Sequence, residues 1–274
     1  MGKIKKLVQC LYITKTRKDD RTIKKIHKDE SLTLIQGDCL DVMTKMIEKN
    51  IKADMILCDL PYGTTSCKWD SIIPFEPLWE KYNEIIKDDG AIVLFSKQPF
   101  TTKLINSNLK DYKYNIIWEK DNHDNPLMAK KRFLNITEDI CIFYKKQCTY
   151  NPQGIVIANK ITKQGRGESL SQQNSRNNEY LQEYTNYPKN ILKFKRDLPN
   201  IHPTQKPVAL LEFLIRTFTN ENELVLDNTC GSGSTLVAAK NTGRKCIGIE
   251  LDENYCEIAR NRIINIQHID NKVS

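Results

Sequence analysis

Short apolar runs, separated by segments with helical spacing, constrain the fold of this chain more than any other feature. The run at residues 91–95 (Ala-Ile-Val-Leu-Phe) is typical of a strand buried on both faces of a parallel sheet. Helical spacing appears elsewhere, for example at Val208 and Leu211. Strands that alternate with helices predict an α/β fold with a mostly parallel sheet, and β-rich runs at residues 114–118 and 140–144 predict an antiparallel hairpin at its edge. The apolar runs are residues 32–35, 55–58, 91–95, 224–226 and 246–249.

Composition divides the 274 residues into three parts. Residues 1–30 hold ten Lys or Arg and four Asp or Glu, which predicts a basic N-terminal extension. Residues 146–199 are polar and basic with little periodicity, and we predict an insert there. Residues 31–145 and 200–274 then form the main domain. A net charge of +8 carried largely by two segments suits a polyanionic partner, although a solvated tail and loop would have the same composition.

The remaining composition indicates the compartment and the state of the cysteines. No apolar run approaches the length of a membrane span, and the first residues, Met-Gly-Lys-Ile-Lys-Lys, lack the apolar core of a signal peptide. We therefore expect a cytoplasmic protein. The nine cysteines occur singly, and Cys58, Cys141 and Cys246 lie inside apolar runs. This pattern predicts buried, reduced thiols rather than a metal site or disulfides.

The tetrapeptide Asp59-Leu60-Pro61-Tyr62 follows the apolar run at residues 55–58, at a strand end where ligands bind in α/β sheets. The exocyclic amine of adenine or cytosine is a poor nucleophile, because its lone pair is delocalised into the ring. The carboxylate of Asp59 and a nearby backbone carbonyl can each accept one amine hydrogen and so localise that lone pair. Pro61 stiffens the loop, and the ring of Tyr62 offers a face for a planar base. The alternative is an ordinary turn.

A second candidate site is the glycine loop at residues 227–235 (Asp-Asn-Thr-Cys-Gly-Ser-Gly-Ser-Thr), between a predicted strand and helix. Such a loop lets a ligand approach the backbone closely. It lacks the lysine of a phosphate-binding loop, and Leu236 stands where the dinucleotide fingerprint needs a third small residue. The carboxylate of Asp227 favours a cationic ligand, and Glu250 suits ribose hydroxyls. These features favour S-adenosylmethionine; the alternative is a structural glycine turn.

Two of these segments resemble motifs of the DNA amino-methyltransferases. Residues 59–62 are similar to the Asp/Asn/Ser-Pro-Pro-Tyr motif of that family, with Leu60 in place of the first proline. Residues 227–235 are similar to its Asp-Pro-Phe-x-Gly-Ser-Gly-Thr-Thr motif, with Asn-Thr at residues 228–229 in place of Pro-Phe.

Two further motifs and the motif order extend the resemblance over about residues 31–145 and 200–265. Residues 202–207 (His-Pro-Thr-Gln-Lys-Pro) resemble the family's His-Pro-Thr-x-Lys-Pro segment, and Gly-Asp at residues 37–38 resembles its acidic turn. The catalytic loop precedes the cofactor loop, as in the circularly permuted β class. The resemblance implies a Rossmann-like methyltransferase fold with a mostly parallel seven-stranded sheet, an antiparallel edge hairpin and a target-recognition region at residues 146–199.

The resemblance also implies residue roles. Asp59, Pro61 and Tyr62 would be catalytic. Asp38 would approach the adenine ring of the cofactor and Lys206 would neutralise its carboxylate; the ordinary alternatives are a turn aspartate and a first-turn helix lysine. The residues implied to bind the cofactor are Asp38, Lys206, Asp227, Asn228, Thr229, Gly231, Gly233, Ser234, Thr235 and Glu250.

The activity implied is site-specific DNA methylation, of the restriction–modification type, with S-adenosylmethionine as methyl donor and the N6 amine of a flipped adenine as acceptor. Asp59 favours adenine, since Asp at this position usually accompanies adenine in the family and Ser usually accompanies cytosine. N4-cytosine methylation and a catalytically silent DNA-binding subunit of the same fold remain alternatives.

The partner implied is double-stranded DNA. Arg166, Arg176 and Asn177 are candidates for contacts to bases, because Arg and Asn suit guanine and adenine edges; the alternative is a polar linker. The sequence leaves open whether the protein is a homodimer and whether it has a cognate restriction endonuclease.

Overall fold

The computed structural model describes residues 23–63, 71–124, 126–163, 179–198 and 205–273. Strands and α-helices of these residues are numbered in chain order. Strands β1 to β11 are Lys24–Lys28, Leu32–Gln36, Ala53–Asp59, Ile86–Ser96, Tyr112–Glu119, Thr137–Phe143, Val156–Lys163, Glu179–Thr185, Ile191–Lys193, Leu224–Asp227 and Lys245–Glu250. Helices α1 to α6 are Cys39–Glu48, Phe75–Ile85, Phe100–Ser107, Val208–Phe218, Ser234–Asn241 and Glu253–Val273.

Nine of these strands form one sheet in the order β1-β2-β11-β10-β3-β4-β6-β5-β9. The strands β2, β11, β10, β3 and β4 are parallel to one another, which confirms the mostly parallel sheet. Strands β5 and β6 form the predicted antiparallel hairpin, and β6 pairs antiparallel with β4. The hairpin is not at the edge, however, because β9 pairs with β5 beyond it. With β1 at the other edge, the sheet has two strands more than the seven predicted.

The apolar runs form strands because both faces of the sheet are covered. Along β3, Met55 and Leu57 belong to one hydrophobic cluster, whereas Ile56 and Cys58 belong to the other. The first cluster includes side chains of α4, α5 and α6, and the second includes side chains of α1, α2 and α3. Each fully buried Leu or Ile contributes about 1.5–3 kcal/mol to this core. The sheet therefore lies between two helical layers, with its strand ends accessible.

Residues 87–90 form an irregular segment of β4. Asp88-Asp89-Gly90 reads as the turn that ends a helix, but these residues lie within β4. The ladder between β3 and β4 passes from the pair Ala53–Ile86 to the pair Met55–Ala91, so residues 87–90 form an irregularity inside the strand.

The predicted domain boundaries can be compared with two compact units. Residues 152–189 form a separate unit, in which β7 and β8 make a two-stranded antiparallel sheet. Strand β9 lies within the predicted insert at residues 146–199, and β1 within the predicted extension, yet both belong to the main sheet. The target-recognition role of the insert stays a prediction. None of the helices in the described ranges is long and apolar enough to cross a membrane.

Candidate active site

A cavity of about 480 Å³ lies at the carboxyl ends of the parallel strands. This is the edge of an open α/β sheet where ligands bind. Both candidate loops contribute to it, one after β3 and the other after β10. Its lining contains all but one of the predicted catalytic and cofactor residues: Asp38, Asp59, Pro61, Tyr62, Lys206, Asp227, Asn228, Thr229, Gly231, Ser234, Thr235 and Glu250.

On the glycine-loop side, Glu250 organises the backbone at the end of β11. Its Oε2 accepts a hydrogen bond from the Gly231 amide at 2.8 Å, and its Oε1 accepts from the amides of Leu251 and Asp252, each at 2.8 Å. Burial raises the pKa of Glu250, and these backbone donors oppose the rise. Carboxylate oxygens can accept further hydrogen bonds, so the predicted contact with ribose stays compatible with this geometry.

Asp227 is a buried carboxylate at the start of the glycine loop. Its Oδ1 accepts a hydrogen bond from the Thr229 amide at 3.2 Å, and no basic side chain forms an ion pair with it within the described ranges. Burial raises the pKa of Asp227 to about 7. A cationic ligand in the cavity would compensate this buried charge, which fits the sulfonium and amino groups of S-adenosylmethionine.

Asp38 has a structural role as well as a place in the cavity. It is the N-cap of α1, and its Oδ1 accepts hydrogen bonds from the amides of Leu40 at 2.9 Å and Asp41 at 3.4 Å. The sequence suggested both a turn residue and a cofactor contact. The structure shows the capping role, and the cofactor contact stays a prediction.

Asn228 and Thr229, which depart from the Pro-Phe of the family motif, join the two loops and the helical layer. The hydroxyl of Thr229 donates to the backbone oxygen of Asp59 at 2.9 Å. The Oδ1 of Asn228 accepts from the hydroxyl of Tyr82 on α2 at 2.6 Å. The polar pair therefore fixes the glycine loop against the loop that carries Asp59.

Gly233 is the predicted cofactor residue that does not line the cavity. It is the N-cap of α5 and has φ +80°, a left-handed conformation that strains other residues. A Cβ added there would lie 2.9 Å from the Cβ of Ala259 on α6. The turn and the packing of α6 require this glycine, and its contact with the cofactor stays a prediction.

We expect Gly233→Ala to lower the free energy of unfolding by about 1–3 kcal/mol, through backbone strain and the contact with Ala259. Gly243→Ala is the matched control, because Gly243 has φ +71° but a Cβ there would meet nothing closer than Glu221 Cγ at 3.9 Å. Urea denaturation measures both variants. Equal losses would contradict the steric contribution of Ala259.

On the other side of the cavity, both carboxylate oxygens of Asp59 are held. The hydroxyl of Tyr62 donates to Oδ1 at 2.7 Å, and the ammonium of Lys206 donates to Oδ2 at 2.6 Å. The ring of Tyr62 packs on that of Phe100, with centroids 5.1 Å apart and planes at 31°. Burial raises the pKa of Asp59, and the charge of Lys206 opposes that rise.

Lys206 belongs to a chain of alternating charges that runs from Asp59 along the β5–β6 hairpin. Its ammonium lies 3.3 Å from Glu138, which pairs with Lys120 at 3.2 Å; Lys120 pairs with Asp124 at 2.6 Å. Burial disfavours the charge of Glu138, but Lys206 and Lys120 hold its pKa below the usual range. Burial also disfavours the charge of Lys206, but Asp59 and Glu138 raise its pKa. The structure thus pairs Lys206 with the carboxylate of Asp59, and its role toward a cofactor carboxylate stays a prediction.

The structure adds several residues that support the site. Glu138, Lys120 and Asp124 line the cavity, but no recognisable motif contains them. Arg262 on α6 donates to the backbone oxygen of Ser232 at 2.9 Å and to the hydroxyl of Ser234 at 3.0 Å. These two hydrogen bonds fix the glycine loop to α6. The predicted DNA contacts Arg166, Arg176 and Asn177 lie outside the described residues.

A family model described as DNA methylase (N6_N4_Mtase) matches residues 53–261, a range that includes both loops and the insert. The chain belongs to this family of DNA methylases. The methylase is 28% identical over 260 residues to DNA adenine methyltransferase YhdJ of Escherichia coli K12, an alignment that covers 88% of this chain and 85% of YhdJ. The predicted enzyme class, a DNA methyltransferase, is confirmed.

Solved structures confirm the predicted fold class of the methylase. The crystal structure of the M1.HpyAVI–SAM complex superposes with a TM-score of 0.59 at 25% identity, over 84% of this chain and 99% of that chain. The cytosine-N4-specific PvuII DNA methyltransferase superposes with a TM-score of 0.64 at 15% identity, over 86% of this chain and 88% of that chain. The assignment to the circularly permuted class stays a prediction.

Proposed function

We propose that this methylase transfers the methyl group of S-adenosylmethionine to the N6 amine of an adenine at specific sites in double-stranded DNA. The observation that carries the proposal is that Asp59 and the glycine loop line one cavity and are joined by the hydrogen bond from Thr229 to the Asp59 backbone. A methyl donor on one side and an acceptor amine on the other can therefore be held in reacting geometry, which is a large part of catalysis in bimolecular transfer.

The cofactor is S-adenosylmethionine, which supplies an electrophilic methyl group on its sulfonium when bound. Asp227, Gly231 and Glu250 fit it, because the first is a buried carboxylate without an ion-pair partner in the described part of the chain and the others form a backbone cradle. The neighbouring M1.HpyAVI structure is a complex with the same molecule, which supports this assignment. Asn228 and Thr229 would position the cradle relative to Asp59.

The acceptor side activates the amine without a strong base. Tyr62 and Lys206 orient the carboxylate of Asp59, and each of its oxygens keeps capacity to accept an amine hydrogen. The negative charge of Asp59 would stabilise the positive charge that develops on the amine as the methyl group arrives. The target base must leave the duplex to reach Asp59, so base flipping is part of the mechanism.

Adenine is favoured over cytosine by the acidic side chain at position 59 and by the relative YhdJ, whose name is that of an adenine methyltransferase. The fold does not distinguish the two target bases, since the structure of the cytosine-N4-specific PvuII enzyme also superposes on this chain. A homodimer, a cognate endonuclease and a cytoplasmic location stay predictions.

We expect the affinity for S-adenosylmethionine to fall as the pH is lowered through about 7. The pKa of Asp227 is raised to about 7, and the cationic cofactor binds the ionised carboxylate, so protonation at lower pH opposes binding. Calorimetry from pH 6 to pH 8.5 measures the profile, and Asp227→Asn is the control that retains every titration except that of this carboxyl group. Identical profiles for the two proteins would contradict this role of Asp227.

The activity is tested by incubating the protein with duplex DNA and S-adenosylmethionine carrying a labelled methyl group. The proposal predicts that the label enters the DNA. Binding of cofactor and DNA without any transfer would instead support the catalytically silent subunit.

A further inference from the structure

The connection between β5 and β6 emerges at the catalytic edge of the sheet. Both β4 and β5 pair antiparallel with β6, so β5 runs in the direction of β4 and its carboxyl end lies on the same edge as the cavity. We call residues 120–136 the β5–β6 loop. At its base, Lys120 and Asp124 line the cavity. The loop is therefore continuous with the rim of the active site.

The base of the loop is held by the backbone, and its tip contains a short 3-10 helix. The amide of Lys120 donates to the oxygen of Ile136 at 2.7 Å, and the amide of Asp124 donates to the oxygen of Asn135 at 2.9 Å. The 3-10 helix is Pro126–Met128. The hydrogen bonds and the buried ion pairs of Lys120 make the base a defined support for the tip.

Large apolar side chains protrude from this tip. Leu127 is 89% exposed, and Phe133 is fully exposed. Single exposed apolar residues are common, but a fully exposed phenylalanine on a loop whose base lines the cavity leaves a large apolar area without cover.

Basic residues flank Phe133. Lys130, Lys131 and Arg132 precede it directly, all are exposed, and residues 126–136 contain no acidic residue. Within the described part of the chain, none of these cations forms an ion pair. Exposed cations can bind phosphates, and an exposed apolar side chain can insert between bases. Because the base of the loop lines the cavity that a target base would enter, this combination favours a DNA duplex as the partner.

We propose that the β5–β6 loop binds the DNA duplex at the methylation site, with Lys130, Lys131 and Arg132 on phosphates and Phe133 inserted into the space that the flipped adenine leaves. The proposal rests on the function proposed above, since a base enters the cavity only if the duplex lies over its rim. Inserted Phe133 would replace the stacking lost by the neighbours of the flipped base and so favour the flipped state.

The phosphate contacts are tested by the salt dependence of DNA binding. Each phosphate contact contributes about 0.9 to the slope of log K against log salt concentration, so Lys130→Gln/Lys131→Gln should reduce the slope by about 2. The matched control is Lys110→Gln/Lys113→Gln, two exposed lysines at the opposite end of β5. The control should keep the wild-type slope. Equal slopes in the loop variant and the wild type would overturn the phosphate contacts.

The wedge is tested with Phe133→Ala on a duplex whose modified adenine has first been located by sequencing. When 2-aminopurine replaces that adenine, binding of the wild-type protein should increase the fluorescence of the 2-aminopurine. Binding of Phe133→Ala should produce only a small part of this increase. The variant should also lose about tenfold or more in kcat/KM on the paired duplex, because the neighbours of the flipped base then lack a stacking partner. A mismatch opposite the target should restore most of the rate, since a mismatched base flips more easily.

Leu109→Ala is the control for the wedge, because Leu109 is 63% exposed and precedes β5, at the opposite end from the loop. It should behave as the wild type in both assays. An equal rate loss for Phe133→Ala on paired and mismatched DNA, or no loss at all, would overturn the wedge. Failure of the wild type to methylate any DNA would instead overturn the proposed function, so the two failures are distinguishable.

Discussion

Replacement of Asp59 with alanine is expected to lower the turnover number of methyl transfer by about 10²-fold or more, the size of effect seen when one group that stabilises a transition state is removed. The side chain is held by Tyr62 and Lys206 and faces the cavity, so its loss removes both an acceptor for the amine and the charge that stabilises the developing cation. Cofactor affinity should change little, because the glycine loop and Glu250 remain.

Asp59→Asn separates the two contributions of this side chain. The amide keeps an acceptor oxygen but carries no charge, so we expect a turnover between those of the wild type and Asp59→Ala. Single-turnover kinetics with labelled cofactor measures the chemical step, and calorimetry measures cofactor affinity. Turnover of Asp59→Ala within threefold of the wild type would contradict the assignment of Asp59 as the catalytic carboxylate.

Lys206→Met is expected to lower the free energy of unfolding by about 3–5 kcal/mol, because it leaves two buried carboxylates without the cation between them. The side chain of Lys206 is only 7% exposed, and its ammonium contacts both Asp59 and Glu138. In the variant, burial and mutual repulsion should raise the pKa of both carboxyl groups in the folded state above their unfolded values. The stability loss should then grow as the pH rises, and shrink as it falls toward the ordinary carboxyl range.

Lys146→Met is the matched control for this prediction. Lys146 forms an ion pair with Asp88 at 2.7 Å, but both side chains are exposed, and exposed pairs contribute little. Thermal unfolding at two pH values measures both variants. The control should have the same melting temperature as the wild type. An unchanged melting temperature for Lys206→Met would contradict a stabilising role for the buried charges.

Local patterns predicted the framework of the site well. The apolar run at residues 55–58 predicted β3, and the glycine loop predicted the turn between β10 and α5. Both motifs follow strands of the parallel part of the sheet, and in the structure both line the cavity at one edge. Such features depend on short stretches of sequence and on the general geometry of α/β sheets, so they can be read without tertiary information.

Long-range pairing could not be predicted in the same way. Lys206 and Asp59 are 147 positions apart, and Glu138 belongs to neither of their motifs. Only the tertiary fold brings the carboxylate of Glu138 on β6 into contact with Lys206. Similarly, β9 joins the sheet by pairing with the distant β5, from within a segment that the sequence shows as a polar insert. Strand β1 pairs with the adjacent β2, but its charged sequence does not indicate a strand. The packing of α6 against Gly233 could not be predicted either, because Ala259 is distant from this glycine in the sequence.

The measurement that tests the central claim most directly is nucleoside analysis, by mass spectrometry, of duplex DNA methylated by the purified protein. DNA treated with Asp59→Ala is the control for residual host methylation. We predict that N6-methyladenine appears with the wild type and is nearly absent with the variant. N4-methylcytosine as the only modified nucleoside would contradict the assignment of adenine as the target base.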